Sequence, residues 1–192
     1  MLKKSLLPIP LLLLWLVAGA QLQSPDAFLP HKLGETFTPH HLLIDYVQHV
    51  ADNSPNVELI QYGTTWEGRP LFLAFVSTPE NLARLEDIRL NNLRITGLYE
   101  GEPDPALHRA IVWLSYSVHG NEAAGSESSM AVLHELADPA NARTQAWLEN
   151  TIVIIDPSIN PDGYSRYTHW YRGAAPRIPN PHPETRGHLE TW

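Results

Sequence analysis

The sequence predicts an α/β fold, and three observations support this prediction. Two unbroken apolar runs, residues 110–116 and 151–155, are typical of strands that are covered on both faces. The segment between them has helical character, so strand, helix and strand follow one another as a βαβ unit. Each apolar run ends in a loop rich in polar residues, and open α/β sheets bind ligands at the carboxyl ends of their strands.

The first 20 residues are typical of a secretory signal peptide. Lys3 and Lys4 precede an apolar stretch at 6–17, and Ala18-Gly19-Ala20 is a small-residue cleavage site. The stretch is shorter than the roughly 20 apolar residues of a membrane-spanning helix, although an uncleaved anchor is the alternative. We therefore expect a secreted or periplasmic protein with no stable membrane insertion after signal cleavage. The expected organisation is a signal peptide at 1–20, an arm at 21–36 and one domain at 37–192.

Composition limits the classes of function. The 192-residue chain has a formal net charge of −8 at pH 7, which argues against nucleic acid as a partner. It contains no cysteine, so disulfides and thiolate metal sites are excluded. With 43% hydrophobic residues, the chain can form a core without such crosslinks.

The remaining elements follow in chain order. Thr38 as N-cap and Pro39 at the first helical position predict a helix that ends near Asn53. Its buried face should consist of Leu42, Leu43, Tyr46, Val47 and Val50. The other predicted elements are strands at 57–62 and 71–76, helices at 79–91, 122–137 and 144–149, a turn at 160–163, and loop from residue 173 onward.

The strongest chemical signal is the pair His119 and Glu122, which follows the apolar run at a turn. Imidazole and carboxylate are both suitable zinc ligands, and Gly120 would let the backbone fold so that both side chains reach one ion. Spacing alone is weak evidence, because a surface turn with a hydrogen-bonded His and Glu has the same sequence. The position at a strand end favours a metal site, and Asn160-Pro161-Asp162-Gly163 at the end of the next strand would shape its floor.

Three motifs in order resemble the zinc metallocarboxypeptidase family (the M14 peptidases). They are Tyr62-Gly63 through Glu67-Gly68-Arg69-Pro70-Leu71, the strand entering His119-Gly120-Asn121-Glu122, and Asn160-Pro161-Asp162-Gly163-Tyr164. The tail around Asn180-Pro181-His182-Pro183-Glu184-Thr185-Arg186 looks like a bacterial secreted branch of that family. The resemblance covers nearly all of the predicted mature chain. It implies a mixed sheet flanked by helices, incomplete because the chain ends early.

The resemblance also implies the chemistry. His119 and Glu122 would be two of three protein ligands of a catalytic Zn²⁺, and the enzyme would hydrolyse C-terminal peptide bonds of a peptide substrate with zinc-activated water. In the family, the third ligand (a His), the Glu general base and an Asn-Arg pair for the substrate carboxylate lie C-terminal to the matched region. None is found before Trp192. We therefore expect the catalytic base to lie beyond Trp192 and this chain alone to be inactive.

Other polar residues are weaker candidates. Arg172 could contact the substrate, although a solvated loop arginine is the simpler interpretation. Glu127 lies one helical turn past Glu122 and could support the site or cap a helix. His40, His41, His49 and His108 are most simply surface or satisfied core residues, and His134 a partly exposed helix residue.

Two alternatives to the carboxypeptidase remain open. One is a related zinc amidase or deacylase on the same fold, which differs in residues outside the matched region. The other, from a different class, is a non-catalytic remnant or binding module. The sequence does not indicate an oligomeric state.

Overall fold

The computed structural model describes residues 22–174, so the predicted signal peptide and the proline-rich tail lie outside the described residues. The helices are α1 (Pro25–Phe28), α2 (His40–Asn53), α3 (Pro79–Leu82), α4 (Leu85–Ile95), α5 (Ala124–Ala137), α6 (Ala142–Leu148) and α7 (Pro161–Ala174). The strands are β1 (Val57–Thr64), β2 (Pro70–Val76), β3 (Ala110–Ser115) and β4 (Thr151–Asp156).

The four strands form one mixed sheet in the order β1-β2-β4-β3. β1 and β2 are an antiparallel hairpin, β2 pairs antiparallel with β4, and β3 pairs parallel with β4. The β3–α5–α6–β4 segment is therefore the predicted βαβ unit, and the predicted α/β fold with a mixed sheet and flanking helices is confirmed. Because β3 and β4 are parallel and in register from Ala110–Thr151 to Ser115–Asp156, their carboxyl ends lie side by side.

Helices cover both faces of this sheet. On one face, α2 and α5 pack against β2 and β4 in the main core, whose buried members include Leu43, Tyr46, Val47, Val50, Ala74, Val76, Met130, Leu133, Val153 and Ile155. On the other face, Ile88 of α4 and Leu107 pack against Ile152. The predicted face of the first long helix is confirmed, with Leu42 half-buried at its margin.

One strand prediction is wrong. Continuous apolar sequence predicted that both β3 and β4 are covered on both faces, and β4 is largely buried. In β3, however, Ile111, Val112 and Trp113 are 43%, 41% and 61% exposed. In the described part of the chain β3 lies at the edge of the sheet, and an apolar pattern predicts that a strand can be buried but not which element covers it.

The start of α2 also differs from the prediction. Pro39, not Thr38, is the N-cap residue, and no side chain caps the helix there. Thr38 instead donates from its N and Oγ1 to the two carboxylate oxygens of Glu127, at 2.5 and 3.0 Å. Tyr164 donates from its hydroxyl to the same carboxylate at 3.3 Å and to Thr38 O at 2.6 Å. The buried Glu127 therefore joins α5, α7 and the segment before α2, which is a structural role.

Two other segments are more regular than expected. The arm contains one helical turn, α1, and an isolated bridge between Leu33 and Thr36. The chain from Pro161 to Ala174 forms the long helix α7. The sequence predicted only a turn at residues 160–163 and no helix after it. Between residues 22 and 174, no helix combines the length and apolar character needed to cross a bilayer.

Candidate metal centre

The structure places His119 and Glu122 in the turn between β3 and α5, as the sequence predicted. The Glu122 N–H donates to His119 O at 3.0 Å, so the backbone turns back within the motif. The Nδ1 atom of His119 is buried, whereas Glu122 is exposed. Glu122 lines a pocket of about 410 Å³ together with Phe37, Ser115, Tyr116, Ser117, Asn121, Ala123, Ala124 and Gly125. The ring of His119 is thus enclosed by its surroundings at Nδ1, whereas Glu122 lines a pocket.

Two features mark this turn as unusual. Ser117 has a φ of 57°, a left-handed conformation that few residues other than glycine adopt, and such outliers concentrate at functional sites. Ser117 Oγ and Asn121 Oδ1 are buried, and neither has a hydrogen-bond partner among the described residues. Buried oxygens of this kind are rare and often belong to a site that takes an ion, a water or a ligand. The imidazole of His119 and the carboxylate of Glu122 are groups that suit Zn²⁺.

Gly120 has a different role from the one predicted. Its φ is not positive, so it does not supply a special turn conformation. A Cβ at Gly120 would lie 2.1 Å from Gly163 C and 2.4 Å from Tyr164 N. Gly120 is therefore required because the backbone of the turn from His119 to Glu122 lies directly against the backbone at the start of α7.

The segment Asn160-Pro161-Asp162-Gly163 is a helix start rather than a free turn. Asn160 Oδ1 accepts a hydrogen bond from the Gly163 N–H at 3.0 Å, which satisfies one of the free donors at the helix start. Pro161 is the first helical residue. Asn160 also donates from Nδ2 to Val118 O at 3.1 Å, one residue before His119. The start of α7 therefore fixes the position of the turn from His119 to Glu122.

The β1–β2 turn holds the same helix start from the other side. Asp162 accepts hydrogen bonds from Thr65 Oγ1 at 2.7 Å and from Arg69 Nη1 at 2.6 Å. Burial alone would raise the pKa of Asp162, but these hydrogen bonds outweigh burial and lower its pKa below the ordinary value. Arg166 of α7 also forms an ion pair with Glu67 in the turn. The three motifs that carry the family resemblance therefore contact one another in space.

Asp156, at the end of β4, is a buried carboxyl group that the sequence analysis did not single out. It is 1% exposed and accepts hydrogen bonds from Tyr62 Oη at 2.7 Å and from Ser158 N at 3.3 Å. Burial raises the pKa of Asp156, and these two hydrogen bonds only partly oppose the rise. Its neighbour Ser158 Oγ is buried without a partner in the described part of the chain.

The opposite pKa shifts of Asp156 and Asp162 predict opposite pH effects on stability. Asp156 binds its proton more tightly when folded, so its contribution is complete below an unfolded pKa of about 4 and is lost as the pH rises through its higher folded pKa. Asp162 has a lowered folded pKa, so its contribution is complete above the unfolded pKa of about 4 and is lost as the pH falls through its lower folded pKa.

We therefore expect that, between about pH 2 and pH 8, the stability of Asp156→Asn relative to the unmodified chain rises as the pH increases above about 4, whereas that of Asp162→Asn falls as the pH increases towards about 4 and then stays constant. Urea unfolding of both variants at several pH values in this range measures the effect. Asparagine keeps the shape of each side chain but replaces one acceptor oxygen with a donor, so the pH dependence of stability, and not its absolute value, reports the charge. Parallel pH curves for the two variants would contradict the assigned shifts.

The other predicted residues lie apart from the turn that carries His119 and Glu122. Arg172 lies near the end of α7 and lines a second cleft that shares no lining residue with the Glu122 pocket. His134 is half-buried on α5. Within residues 22–174, no group of three or more His, Asp or Glu side chains is placed to hold a metal. His119 and Glu122 are thus a two-residue candidate.

His40 differs most from the sequence analysis. It is 8% exposed, and no hydrogen bond to its ring is found among the described residues, so it is neither a surface residue nor a satisfied core residue. No sequence pattern predicts that this histidine is buried, because a histidine in the first turn of a helix is usually exposed. By contrast, His49 is engaged, since its Nε2 accepts from the Gln23 N–H at 3.0 Å.

Comparison with known proteins identifies relatives of the chain. A sequence profile described as zinc carboxypeptidase matches residues 43–182. The probable carboxypeptidase 2 of Arthroderma benhamiae is 43% identical over 68 residues, which are 33% of this chain and 12% of that protein. The carboxypeptidase 2 of Trichophyton tonsurans is 43% identical over 67 residues, again 33% of this chain and 12% of the relative. The chain thus matches only about an eighth of the length of these relatives.

Solved structures support the fold. Carboxypeptidase A from Helicoverpa armigera superposes with a TM-score of 0.51 and 20% identity, covering 70% of this chain and 26% of that one. Thrombin activatable fibrinolysis inhibitor superposes with a TM-score of 0.50 and 16% identity, covering 74% of this chain and 29% of that one. At these identities the similarity concerns the fold alone.

Proposed function

Because the chain belongs to the zinc carboxypeptidase family, we propose that it forms part of a secreted or periplasmic zinc carboxypeptidase that hydrolyses C-terminal peptide bonds. The observation that carries the proposal is the position of His119 and Glu122. Both lie at the carboxyl end of β3, in a turn whose backbone rests on the start of α7. Ligands of a catalytic metal need such rigid support.

His119 and Glu122 would be two of the protein ligands of a zinc ion. A third ligand and the general base would come from outside residues 22–174, because no complete group of metal-binding side chains is found within that range. When bound, zinc would polarise the scissile carbonyl and lower the pKa of a water molecule. The residues of this chain orient the ligands. The Gly120–Gly163 contact and the Asn160–Val118 hydrogen bond restrain the turn, so neither candidate ligand must be ordered when the ion binds.

Arg172 is the less well supported part of the proposal. It lines a cleft separate from the Glu122 pocket, so we assign it to a part of the peptide away from the cleaved bond rather than to the reacting carbonyl. An exposed guanidinium group there can bind a carboxylate in a bidentate contact.

A matched pair of peptides tests the proposed activity. One peptide has a free C-terminal carboxylate and the other a C-terminal amide, and released amino acid is measured with and without zinc. We expect no release by the 192-residue chain, because no group of three metal-binding side chains is found among its described residues, and zinc-dependent release from the free peptide by a protein extended to the length of its carboxypeptidase relatives. His119→Ala should abolish that release, whereas His108→Ala, at an exposed site, should not.

Three outcomes would contradict the proposal. Release of amino acid by the 192-residue chain would show that the catalytic groups lie within it. Equal release from free and amidated peptides would show that the enzyme does not require a free C-terminal carboxylate, as a carboxypeptidase does. Absence of any release by the extended protein, with zinc bound, would favour a non-catalytic binding module.

A further inference from the structure

A second cleft of about 1030 Å³ lies between the first turns of α2, the β1–β2 turn and the outer part of α7. Its charged and titratable lining residues are His40, His41, Asp45, Arg69, Arg166, His169 and Arg172. None of them lines the pocket at Glu122. Three arginines and three histidines against one aspartate make this lining rich in hydrogen-bond donors.

His40 is a buried donor that lines this cleft. The residue as a whole is 8% exposed, and no hydrogen bond to its ring is found among the described residues. Burial, with a smaller effect of the nearby Arg69, lowers the pKa of His40 to about 4, so its imidazole is neutral at physiological pH. A neutral imidazole retains one N–H group that can donate to a ligand.

The start of α2 adds backbone donors at the same place. The first N–H groups of a helix have no partner within the helix, and here no side chain caps them. The helix has 14 residues, and its dipole gives this end a partial positive charge that favours an anion. His40 and His41 are its first two residues, so backbone and side-chain donors meet at one end of the cleft.

The charged groups of the lining have different roles. Arg69 and Arg166 form ion pairs with Asp162 and Glu67, so they stabilise the wall more than they attract a ligand. Arg172 is exposed and forms no ion pair within residues 22–174, which leaves its guanidinium available to a ligand. Asp45, one helical turn further along α2, opposes the binding of an anion.

We propose that this cleft is an oxyanion-binding site, in which the imidazole of His40, the first N–H groups of α2 and the guanidinium of Arg172 bind a phosphate or carboxylate group. The geometry does not require the peptidase activity. Only if the oxyanion is a side-chain carboxylate of the peptide substrate does the inference rest on the proposed function. A free phosphate would make the site independent of that function.

Binding to the full chain tests the proposal with two probes, inorganic phosphate and the blocked dipeptide N-acetyl-Asp-Glu-amide, which carries only side-chain carboxylates. Titration calorimetry measures affinity at constant ionic strength, and NMR follows the amide resonances of residues 40–42. We expect one probe to bind with a Kd below about 1 mM and to shift these resonances.

Variants distinguish a specific anion-binding site from nonspecific electrostatic attraction of the anion to the protein. Arg172→Gln should weaken binding about tenfold, as expected for loss of a charge-assisted hydrogen bond. Asp45→Asn should strengthen binding, and Arg84→Gln, which removes an exposed arginine elsewhere, should not change it. His40→Phe should remove binding if the variant folds. Since Arg172, Asp45 and Arg84 are exposed, the test does not depend on the buried variant.

The outcomes identify the ligand class. Binding of phosphate alone supports a free phosphate, and binding of the dipeptide alone supports an acidic peptide. Binding of both supports the shared oxyanion chemistry. Failure of both probes to bind, or equal weakening by Arg172→Gln and Arg84→Gln, would overturn the proposal. Neither failure would affect the zinc test of His119.

Discussion

Replacement of His119 by alanine should lower the zinc affinity of the full chain by at least about 100-fold, since loss of a ligand exceeds the effect of losing a ligand's supporting residue. Glu122→Gln should produce a smaller loss of zinc affinity, because the amide oxygen of glutamine can still contact the ion weakly although the negative charge is removed. Binding is measured by competition with a zinc-sensitive dye, so the readout is independent of catalysis.

The double variant gives the sharper test. If His119 and Glu122 bind the same ion, the second substitution should add little to the first, and the two effects should not sum. His108→Ala removes an exposed imidazole from the segment before β3 and serves as the matched control. Zinc affinity that is unchanged in His119→Ala, or additive losses in the double variant, would show that the two residues do not share an ion.

The sequence predicted the parts of this site that depend on local pattern. Apolar runs identified β3 and β4, and the positions of His119 and Glu122 after β3 followed directly from them. It did not reveal the contacts between motifs. The role of Gly120 was misassigned because close approach to Gly163 joins segments more than 40 residues apart and leaves no periodic signal.

Buried polar groups were the other class that the pattern could not predict. Thr38 has the sequence context of an N-cap, but tertiary contacts with Glu127 override that local preference. Asp156 follows an apolar run, and no local pattern predicts that its carboxyl group is buried. In the structure it is buried and accepts a hydrogen bond from Tyr62 of β1. The exposure of β3 was not predicted for a related reason. The sequence of a strand does not show which element, if any, packs on its faces.

Substitution of Gly120 by alanine should destabilise the fold by about 3 kcal/mol or more, the upper range for overpacking of a rigid site. The added Cβ would lie 2.1 Å from Gly163 C and 2.4 Å from Tyr164 N, so backbone rather than a flexible side chain must move. Alanine also restricts the unfolded chain, which stabilises by only about 0.4–1 kcal/mol and cannot offset the clash.

Two other glycines provide graded controls for this prediction. A Cβ at Gly163 would meet the side-chain amide of Asn160 at 2.8 Å, so Gly163→Ala should cost less, by displacing a cap rather than the backbone. Gly173 has open space around it on α7, and Gly173→Ala should be neutral or stabilise by up to about 1 kcal/mol. Urea unfolding of the three variants should therefore rank Gly120 well above Gly163, and Gly163 above Gly173.

The same variants connect stability to the metal site. The clash at Gly120 acts on the backbone between His119 and Glu122, so Gly120→Ala should also lower zinc affinity at temperatures where the variant remains folded. Gly173→Ala should leave zinc affinity unchanged. If Gly120→Ala retained both stability and zinc affinity, the turn from His119 to Glu122 would not depend on its contact with the start of α7. The geometric basis of the proposed zinc site would then be lost.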